Sequence, residues 1–257
     1  MTARLEQVRT LRQAGRHAEA ATLCAALLQD EPGNADALHL AGLLVYENGE
    51  SERALSLIES AVAVAPMHVA ALTDLGGLLT RAGRLDEAAV CFQRALAQDG
   101  NNPAALFNLG CTQQAQRQFD AALESYRSAL AHSPGNLDIL CNIGACLQEL
   151  NRPAEAAATY RAAIALQPGD FKLLNNLGVA LQADGKAAEA RDCFAASLAI
   201  DPVSVRAHIN VGMACYELAM RLSLVAGPLR LLDGDFPDRD AMIGIAEHNL
   251  KQALALI

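Results

Sequence analysis

Residues 103–136 read PAALFNLGCTQQAQRQFDAALESYRSALAHSPGN, and this stretch decides the fold. Its apolar and small residues recur at steps of three and four, as on one face of an α-helix, in two blocks separated by a polar turn at Arg117. The first block holds Leu106, Leu109, Gly110 and Gln113, and the second holds Ala122, Tyr126, Ala129 and Leu130. Asn102 and Pro103 suit a helix start. The stretch therefore predicts two short helices joined by a tight turn.

The same pattern recurs along the chain with a period of 34 residues. Two series of small residues share this spacing, namely Gly42, Gly76, Gly110, Gly144, Gly178 and Gly212, and Ala20, Ala54, Ala88, Ala122, Ala156 and Ala190. Units in phase with them start at Met1, Ala35, Val69, Pro103, Leu137, Phe171 and Val205. Such a period is typical of stacked units that cannot bury their apolar faces alone. The sequence predicts one all-α solenoid, residues 1–257, of about seven helix hairpins.

The seventh unit is interrupted. Its first helix starts in phase at Val205. The period then predicts an alanine at position 224, but the residue there is Leu224, and the second-helix pattern appears only from Ala246 onward. The offset from 224 to 246 indicates an insertion of 22 residues, at about 220–241. Its apolar segment 218–232 needs something to cover it. The alternatives are a cap formed within the chain, pairing with a second copy and docking on a following domain, and we favour the cap over an association surface.

The ends of the predicted helices carry suitable residues. The last residue of five units is of a type preferred as a helix N-cap: Asn34, Asn102, Asn136, Asp170 and Ser204. Glycine occupies the turn between the two helices in four units, where a left-handed backbone ends the first helix, but Arg117 and Asn151 stand there in two others. Within each hairpin, we expect the glycine of the first helix to face the alanine of the second and let the helices approach closely.

These residues resemble the tetratricopeptide repeat (TPR) family over essentially the whole chain. The resemblance is carried by Gly110, Ala122, Tyr126, Ala129 and Pro134, with counterparts in the other units. The first unit departs most, with Val8 where glycine is expected. The resemblance implies a right-handed superhelix in which the first helices line a concave groove.

The sixth position of each unit then faces the groove. That row holds Leu40, Asp74, Asn108, Asn142, Asn176 and Asn210, and a second row on the same helices holds Gln114, Gln148 and Gln182. A carboxamide offers two donors and an acceptor, so such rows can pair with the backbone of an extended peptide. We interpret Asp74, the four asparagines and the three glutamines as partner-binding residues. The alternative is that these amides brace neighbouring helices.

Two TPR subgroups bear on the interpretation of these rows. The segment LLNNLG at 173–178 is similar to the TPR arms of O-GlcNAc-transferase-like proteins, and that resemblance implies an asparagine ladder that holds peptide substrates. Chaperone-docking members clamp a C-terminal carboxylate with basic residues, but the fifth positions here provide no such clamp.

The charge along the groove changes sign. The second positions of the units hold Asp36, Asp138, Lys172 and Arg206, which predicts an acidic first part and a basic end. Among the histidines, His39 is placed to line the groove or to be solvated, and we favour the solvated side chain. We interpret His208 as a packed ring with one hydrogen bond.

The composition excludes several classes of partner. With 20 basic against 29 acidic residues, a net charge of -9, the chain lacks the surplus of Lys and Arg that nucleic acid requires. No apolar stretch is long enough to span a membrane. The seven cysteines are odd in number and form no CxxC pair, which is typical of a reduced, cytoplasmic protein.

Motifs for catalysis are absent from the sequence: there is no phosphate loop, dinucleotide fingerprint, zinc-protease motif or nucleophile elbow. The acidic loop 233–240 lacks the bidentate glutamate of a calcium loop. We predict no catalytic residue, metal site or cofactor, and a protein-interaction scaffold that binds an extended peptide or a partner helix. Two alternatives stay open, the substrate-presenting arm of a larger glycosyltransferase-like enzyme and a self-assembling scaffold.

Overall fold

A computed structural model describes residues 2–225 and 237–256. Every regular element in these ranges is an α-helix: α1 Thr2–Gln13, α2 His17–Asp30, α3 Ala35–Glu47, α4 Ser51–Val64, α5 Val69–Arg81, α6 Leu85–Gln98, α7 Pro103–Ala115, α8 Phe119–His132, α9 Leu137–Glu149, α10 Pro153–Leu166, α11 Phe171–Ala183, α12 Ala187–Ile200, α13 Val205–Val225 and α14 Pro237–Ala255. They form two compact units, Met1–Pro134 with α1–α8 and Gly135–Ile257 with α9–α14.

The helices pair into hairpins. Each odd-numbered helix, called the first helix below, packs against the even-numbered second helix that follows it. Neighbouring hairpins of a unit then pack through the second helix of one and the first helix of the next, as α4 packs on α5 and α10 on α11. The predicted all-α stack of helix hairpins is confirmed.

The helix starts follow the predicted caps. Asn102 Oδ1 accepts the N–H of Ala105 at 3.0 Å, and Asn34, Asn136, Asp170 and Ser204 accept an N–H in the same way. His68 caps α5 as well, because its Nδ1 accepts the N–H of Ala71 at 3.1 Å. The N–H groups of the first helical turn have no partner inside the helix, so each cap satisfies at least one of them. The histidine cap was not predicted from the sequence.

The turns between the two helices have a left-handed backbone in six hairpins. Glycine supplies it in four of them, whereas Arg117 has φ 60° and Asn151 has φ 54°. The Cβ of an ordinary L-residue lies too close to a neighbouring carbonyl oxygen in this conformation, which makes it unfavourable. The fold therefore imposes the turn even where the sequence does not favour it.

The contact inside each hairpin differs from the predicted glycine–alanine pair. The alanine series is buried, but the glycine mainly faces the large residue four positions after that alanine. A Cβ on Gly110 would lie 2.7 Å from the ring of Tyr126, and one on Gly144 would lie 2.5 Å from the ring of Tyr160. Gly42 faces Ile58, and Gly178 faces Phe194, in the same way. Because interiors are close-packed, the ring fills the space that the missing side chain leaves.

The last hairpin keeps this contact despite its interruption. Gly212 of α13 faces Leu250 and the carbonyl of Ala246 on α14, as Gly42 faces Ile58 and the carbonyl of Ala54. The two helices of this hairpin are also longer than the others, with 21 and 19 residues. The predicted second-helix residue Ala246 thus takes the place of the series alanine.

Candidate functional site

The first helices of the unit Met1–Pro134 border a polar cleft. Its volume is about 200 Å³, and it is lined by Thr73, Asp74, Gly77, Thr80, Arg81, Asn108 and Cys111. Asp74 and Asn108, two predicted partner-binding residues, are therefore brought together here. Both side chains are half-buried. The carboxamide of Asn108 forms no hydrogen bond with any residue in the described ranges.

His39 lies beneath this cleft and is not solvated as predicted. The residue is 7% exposed, and its Nε2 lies 2.6 Å from Oδ2 of Asp74. Its ring packs edge-on against that of His68, with the centroids 5.3 Å apart. Burial of an imidazole requires hydrogen-bond partners, and the carboxylate of the next hairpin supplies one. Oδ1 of Asp74 stays available to a ligand.

Gln114 is held by its own hairpin. The hydroxyl of Tyr126 donates to Oε1 of Gln114 at 2.8 Å. This bond uses the acceptor of the carboxamide and orients its two Nε2 donors away from the tyrosine. Gln114 therefore acts as a brace through one atom and offers donors through the other.

The unit Gly135–Ile257 contains the remaining predicted residues on α9, α11 and α13. Asn142, Asn176 and Asn210 are half-buried. Asn210 Nδ2 donates to Oδ1 of Asn175 at 2.9 Å, whereas the amides of Asn142 and Asn176 have no hydrogen-bond partner in the part of the chain that the structure describes. Asn176 lines a cleft of about 300 Å³ together with Phe171, Lys172, Asn175, Ser204 and Arg206.

The two glutamines of this unit differ from each other. Gln148 accepts a hydrogen bond from the hydroxyl of Tyr160 at 3.0 Å, as Gln114 does from Tyr126. Gln182 instead donates from Nε2 to Oε2 of Glu217 at 3.2 Å. One amide thus presents donors, and the other presents its carbonyl.

His208 also departs from its prediction. Its Nδ1 lies 2.9 Å from Oδ1 of Asn249, and its Nε2 lies 3.0 Å from the carbonyl oxygen of Pro202. Two polar contacts replace the single hydrogen bond expected for a packed ring. The ring joins α13 to α14, because Asn249 belongs to the second helix.

An apolar cleft lies on the last hairpin. It measures about 600 Å³ and is lined by Gln182, Gly212, Met213, Tyr216, Glu217, Met220 and Leu250. The predicted self-association segment 218–232 borders this region, but residues 226–236 and the side chains from 221 to 239 lie outside the described part of the chain. Most of the acidic loop 233–240 lies outside it as well.

Burial raises the thiol pKa of five of the seven cysteines. All seven are free thiols, and burial raises the pKa of Cys24 to about 11. Burial also raises the pKa of Cys91, Cys141, Cys193 and Cys215. A raised pKa keeps a thiol protonated at neutral pH. Among the described residues, no three His, Cys, Asp or Glu side chains are grouped so that they could hold a metal ion, and no helix could cross a membrane.

Comparison with family models gives consistent matches. A tetratricopeptide repeat model matches residues 5–58, 39–103 and 107–171, and a second tetratricopeptide repeat model matches residues 159–192. A search of the curated proteins found no match.

Solved structures share the fold at low sequence identity. One is YrrB, described as a TPR protein with an unusual peptide-binding site, at 20% identity and TM-score 0.67, with 72% of this chain and 95% of that chain covered. MamA is 19% identical with a TM-score of 0.63, over 66% of this chain and 92% of that one. The C-terminal part of a TPR repeat-containing protein from Cytophaga hutchinsonii is 13% identical with a TM-score of 0.71, over 98% and 99%.

Proposed function

The chain belongs to the tetratricopeptide repeat family, and we propose that it is a non-catalytic interaction protein whose first helices bind an extended segment of another protein. In this proposal, the amides and carboxylate of the first helices pair with the backbone of the bound segment. The seven free thiols fit a reducing compartment such as the cytoplasm.

One observation carries the proposal. Asn108, Asn142 and Asn176 are half-buried on first helices, and their carboxamides bond to none of the described residues. A brace requires a hydrogen bond to a neighbouring helix, and among the four asparagines only Asn210 makes one. A half-buried amide is only partly solvated, so a hydrogen bond to a ligand stabilises it more than it would a fully solvated amide. A peptide backbone supplies both N–H and C=O groups for them.

In each unit, the polar side chains of the first helices would contact the backbone of the bound peptide more than its side chains. The orientation of Gln114 and Gln148 presents N–H donors to peptide carbonyls, and Oδ1 of Asp74 accepts from a peptide N–H. Extended peptides expose such groups in alternation. The similarity to YrrB in fold supports a peptide ligand, since that protein is described as having a peptide-binding site.

The test combines Asn108→Ala, Asn142→Ala and Asn176→Ala in one variant. Peptides selected on the wild-type protein from a random phage-displayed library serve as probes, and fluorescence anisotropy measures their affinity. We expect binding to weaken by more than about tenfold, since several buried hydrogen bonds are lost, with an unchanged helical circular dichroism signal.

The matched control removes three exposed amides of second helices, by Gln29→Ala, Gln93→Ala and Gln252→Ala. It should retain wild-type affinity. Unchanged binding by the asparagine variant, or an equal loss in the control, would contradict the proposal.

The two alternative functions stay predictions. No observation on the described residues favours a substrate-presenting arm of a glycosyltransferase-like enzyme, which a downstream catalytic domain in the gene would support. Self-assembly through 218–232 is tested by light scattering across a concentration series.

A further inference from the structure

The cleft at the starts of α11 and α13 has a different chemistry from the amide rows. Its lining contains two cationic side chains, Lys172 and Arg206, and no carboxylate. We propose that this cleft binds an acidic segment of the partner peptide through aspartate or glutamate side chains. The proposal rests on the proposed peptide-binding function and names the peptide chemistry that this part of the surface selects.

The two cations are available for a ligand. Both residues are exposed, and neither forms an ion pair with a described residue. Lys172 Nζ lies 5.9 Å from the ring centroid of Phe171. Two arginines that directly precede second helices behave differently, since Arg16 and Arg84 each form paired hydrogen bonds to a glutamate three residues later. Lys172 and Arg206 thus present two positive charges without an ion pair, in a chain of net charge -9.

A buried amide supplies the second observation. Asn175 is 6% exposed and lines the cleft. Its Oδ1 accepts the hydrogen bond from Asn210, while its Nδ2 has no hydrogen-bond partner in the described ranges. This donor is accessible from the cleft and is free to bind a ligand. An incoming carboxylate accepts hydrogen bonds only and would satisfy this donor.

The caps at the two helix starts differ in charge, and the charged one, Asp170, does not line the cleft. The Asp170 carboxylate at the start of α11 accepts the N–H of Lys172 at 2.7 Å and that of Leu173 at 3.3 Å. At the start of α13, the cap is the uncharged Ser204. Helix N-termini favour anions, so the Ser204 end adds to the attraction exerted by Arg206.

An acidic segment fits better than a single anion. The cations lie at the starts of two different first helices, and Asn175 and Asn176 lie further along α11. In an extended peptide, every second side chain points to the same side, about 7 Å apart. Alternating acidic residues can therefore reach both cations and the Asn175 amide from one peptide.

The experiment uses the full chain and peptides of about ten residues, acetylated and amidated at their ends. One peptide alternates serine with glutamate, a second alternates serine with glutamine, and a third repeats the second with a free C-terminal carboxylate. The protein variant carries Lys172→Ala and Arg206→Ala. The control variant carries Arg161→Ala and Lys251→Ala, which has the same net charge and removes exposed cations elsewhere in this unit.

We expect the glutamate peptide to bind wild type and control at least about tenfold more tightly than the glutamine peptide. The Lys172/Arg206 variant should lose that advantage. Raising salt from about 50 mM to about 300 mM should weaken the preference severalfold. Equal affinity for the glutamate and glutamine peptides overturns the acidic preference, as does a preference only for the free C-terminus, an equal loss in the control, or no binding of the glutamate peptide.

The outcome separates this inference from the proposed function. If both peptides bind equally and Asn176→Ala weakens both, the amide surface stands and the acidic preference falls. If the library-selected peptides bind the triple asparagine variant as tightly as they bind wild type, the proposed function is wrong, whatever the charge of the peptide.

Discussion

The polar clefts of the two units differ in charge although the hairpins that carry them are alike. In Met1–Pro134, Asp74 and Arg81 line the cleft together, so the charges balance. In Gly135–Ile257, Lys172 and Arg206 line it without a carboxylate. In both units a glycine of the first helix packs under a large side chain of the second. The buried positions thus fix the hairpin, and the charge of the exposed first-helix positions varies independently of them.

The two units share the packing of a first-helix glycine against a large side chain of the second helix. If one unit tolerated a larger residue at this glycine, the two units would not be alike in this respect. Gly110→Val and Gly178→Val should each lower the free energy of unfolding by about 3 kcal/mol, because the new side chain overlaps the ring of Tyr126 or Phe194. Urea denaturation followed by circular dichroism measures the loss in each variant.

The matched controls are Gly33→Ala and Gly169→Ala, where an added Cβ meets no atom within 4 Å. They should change the free energy of unfolding by less than about 0.5 kcal/mol. A cost at Gly110 no larger than that at Gly33 would show that the close approach of the helices is not what stabilises the hairpin.

A second prediction sharpens the comparison at Tyr160, whose counterpart in the hairpin that starts at Val69 is Phe92. The Tyr160 hydroxyl donates to Gln148, and burial raises the pKa of Tyr160. The folded state therefore keeps this proton while an unfolded tyrosine loses it near pH ~10. The stabilisation is present below that pH and is lost as pH rises toward the folded pKa.

Tyr160→Phe should cost about 1 kcal/mol at neutral pH through the lost hydrogen bond, and the gap to wild type should close near pH ~11. Urea titrations at both pH values measure it. Tyr216→Phe, at a residue 57% exposed, is the control and should show no such convergence. A gap that widens with pH would contradict the assigned direction.

The smallest effects concern the turns, where the described part of each unit has one non-glycine residue in the left-handed region. Arg117→Gly should raise the free energy of unfolding by about 1 kcal/mol, because glycine adopts φ 60° without a Cβ penalty. Asn151→Gly should raise it by only about 0.5 kcal/mol, since asparagine tolerates this conformation. Thermal unfolding ranks the two. A loss at Arg117→Gly would mean that its guanidinium, 5.5 Å from the ring centroid of Phe119, stabilises more than the backbone strain costs.

Most of the fold followed from the sequence. The 34-residue period depends on burial, and burial repeats with the backbone, so the helices, the caps at Asn34 and Asn102 and the return of the pattern at Ala246 could all be predicted. The period also located the turn at Arg117, but the conformational preference of arginine does not predict a left-handed backbone there. The packing of the two helices overrides that local cost.

The partners of the polar side chains could not be predicted from the same pattern. Whether His39 is solvated depends on the rotamers of two residues in neighbouring hairpins, which the period does not contain. The orientation of Gln114 depends on a hydroxyl that is present in Tyr126 and absent from the equivalent Phe92. Such pairs are set by single atoms. The positions of the amides were therefore predictable, and their remaining hydrogen-bonding capacity was not.

The last hairpin has a practical consequence for protein engineering. Gly212 contacts Leu250 and Ala246 although glycine and alanine are 34 residues apart in sequence, whereas Gly42 and Ala54 in the hairpin that starts at Ala35 are 12 apart. Mutual recognition therefore resides in the facing surfaces of the two helices and not in the length of their link. The junction between α13 and α14 is accordingly a suitable insertion site for a fluorescent reporter or an affinity tag.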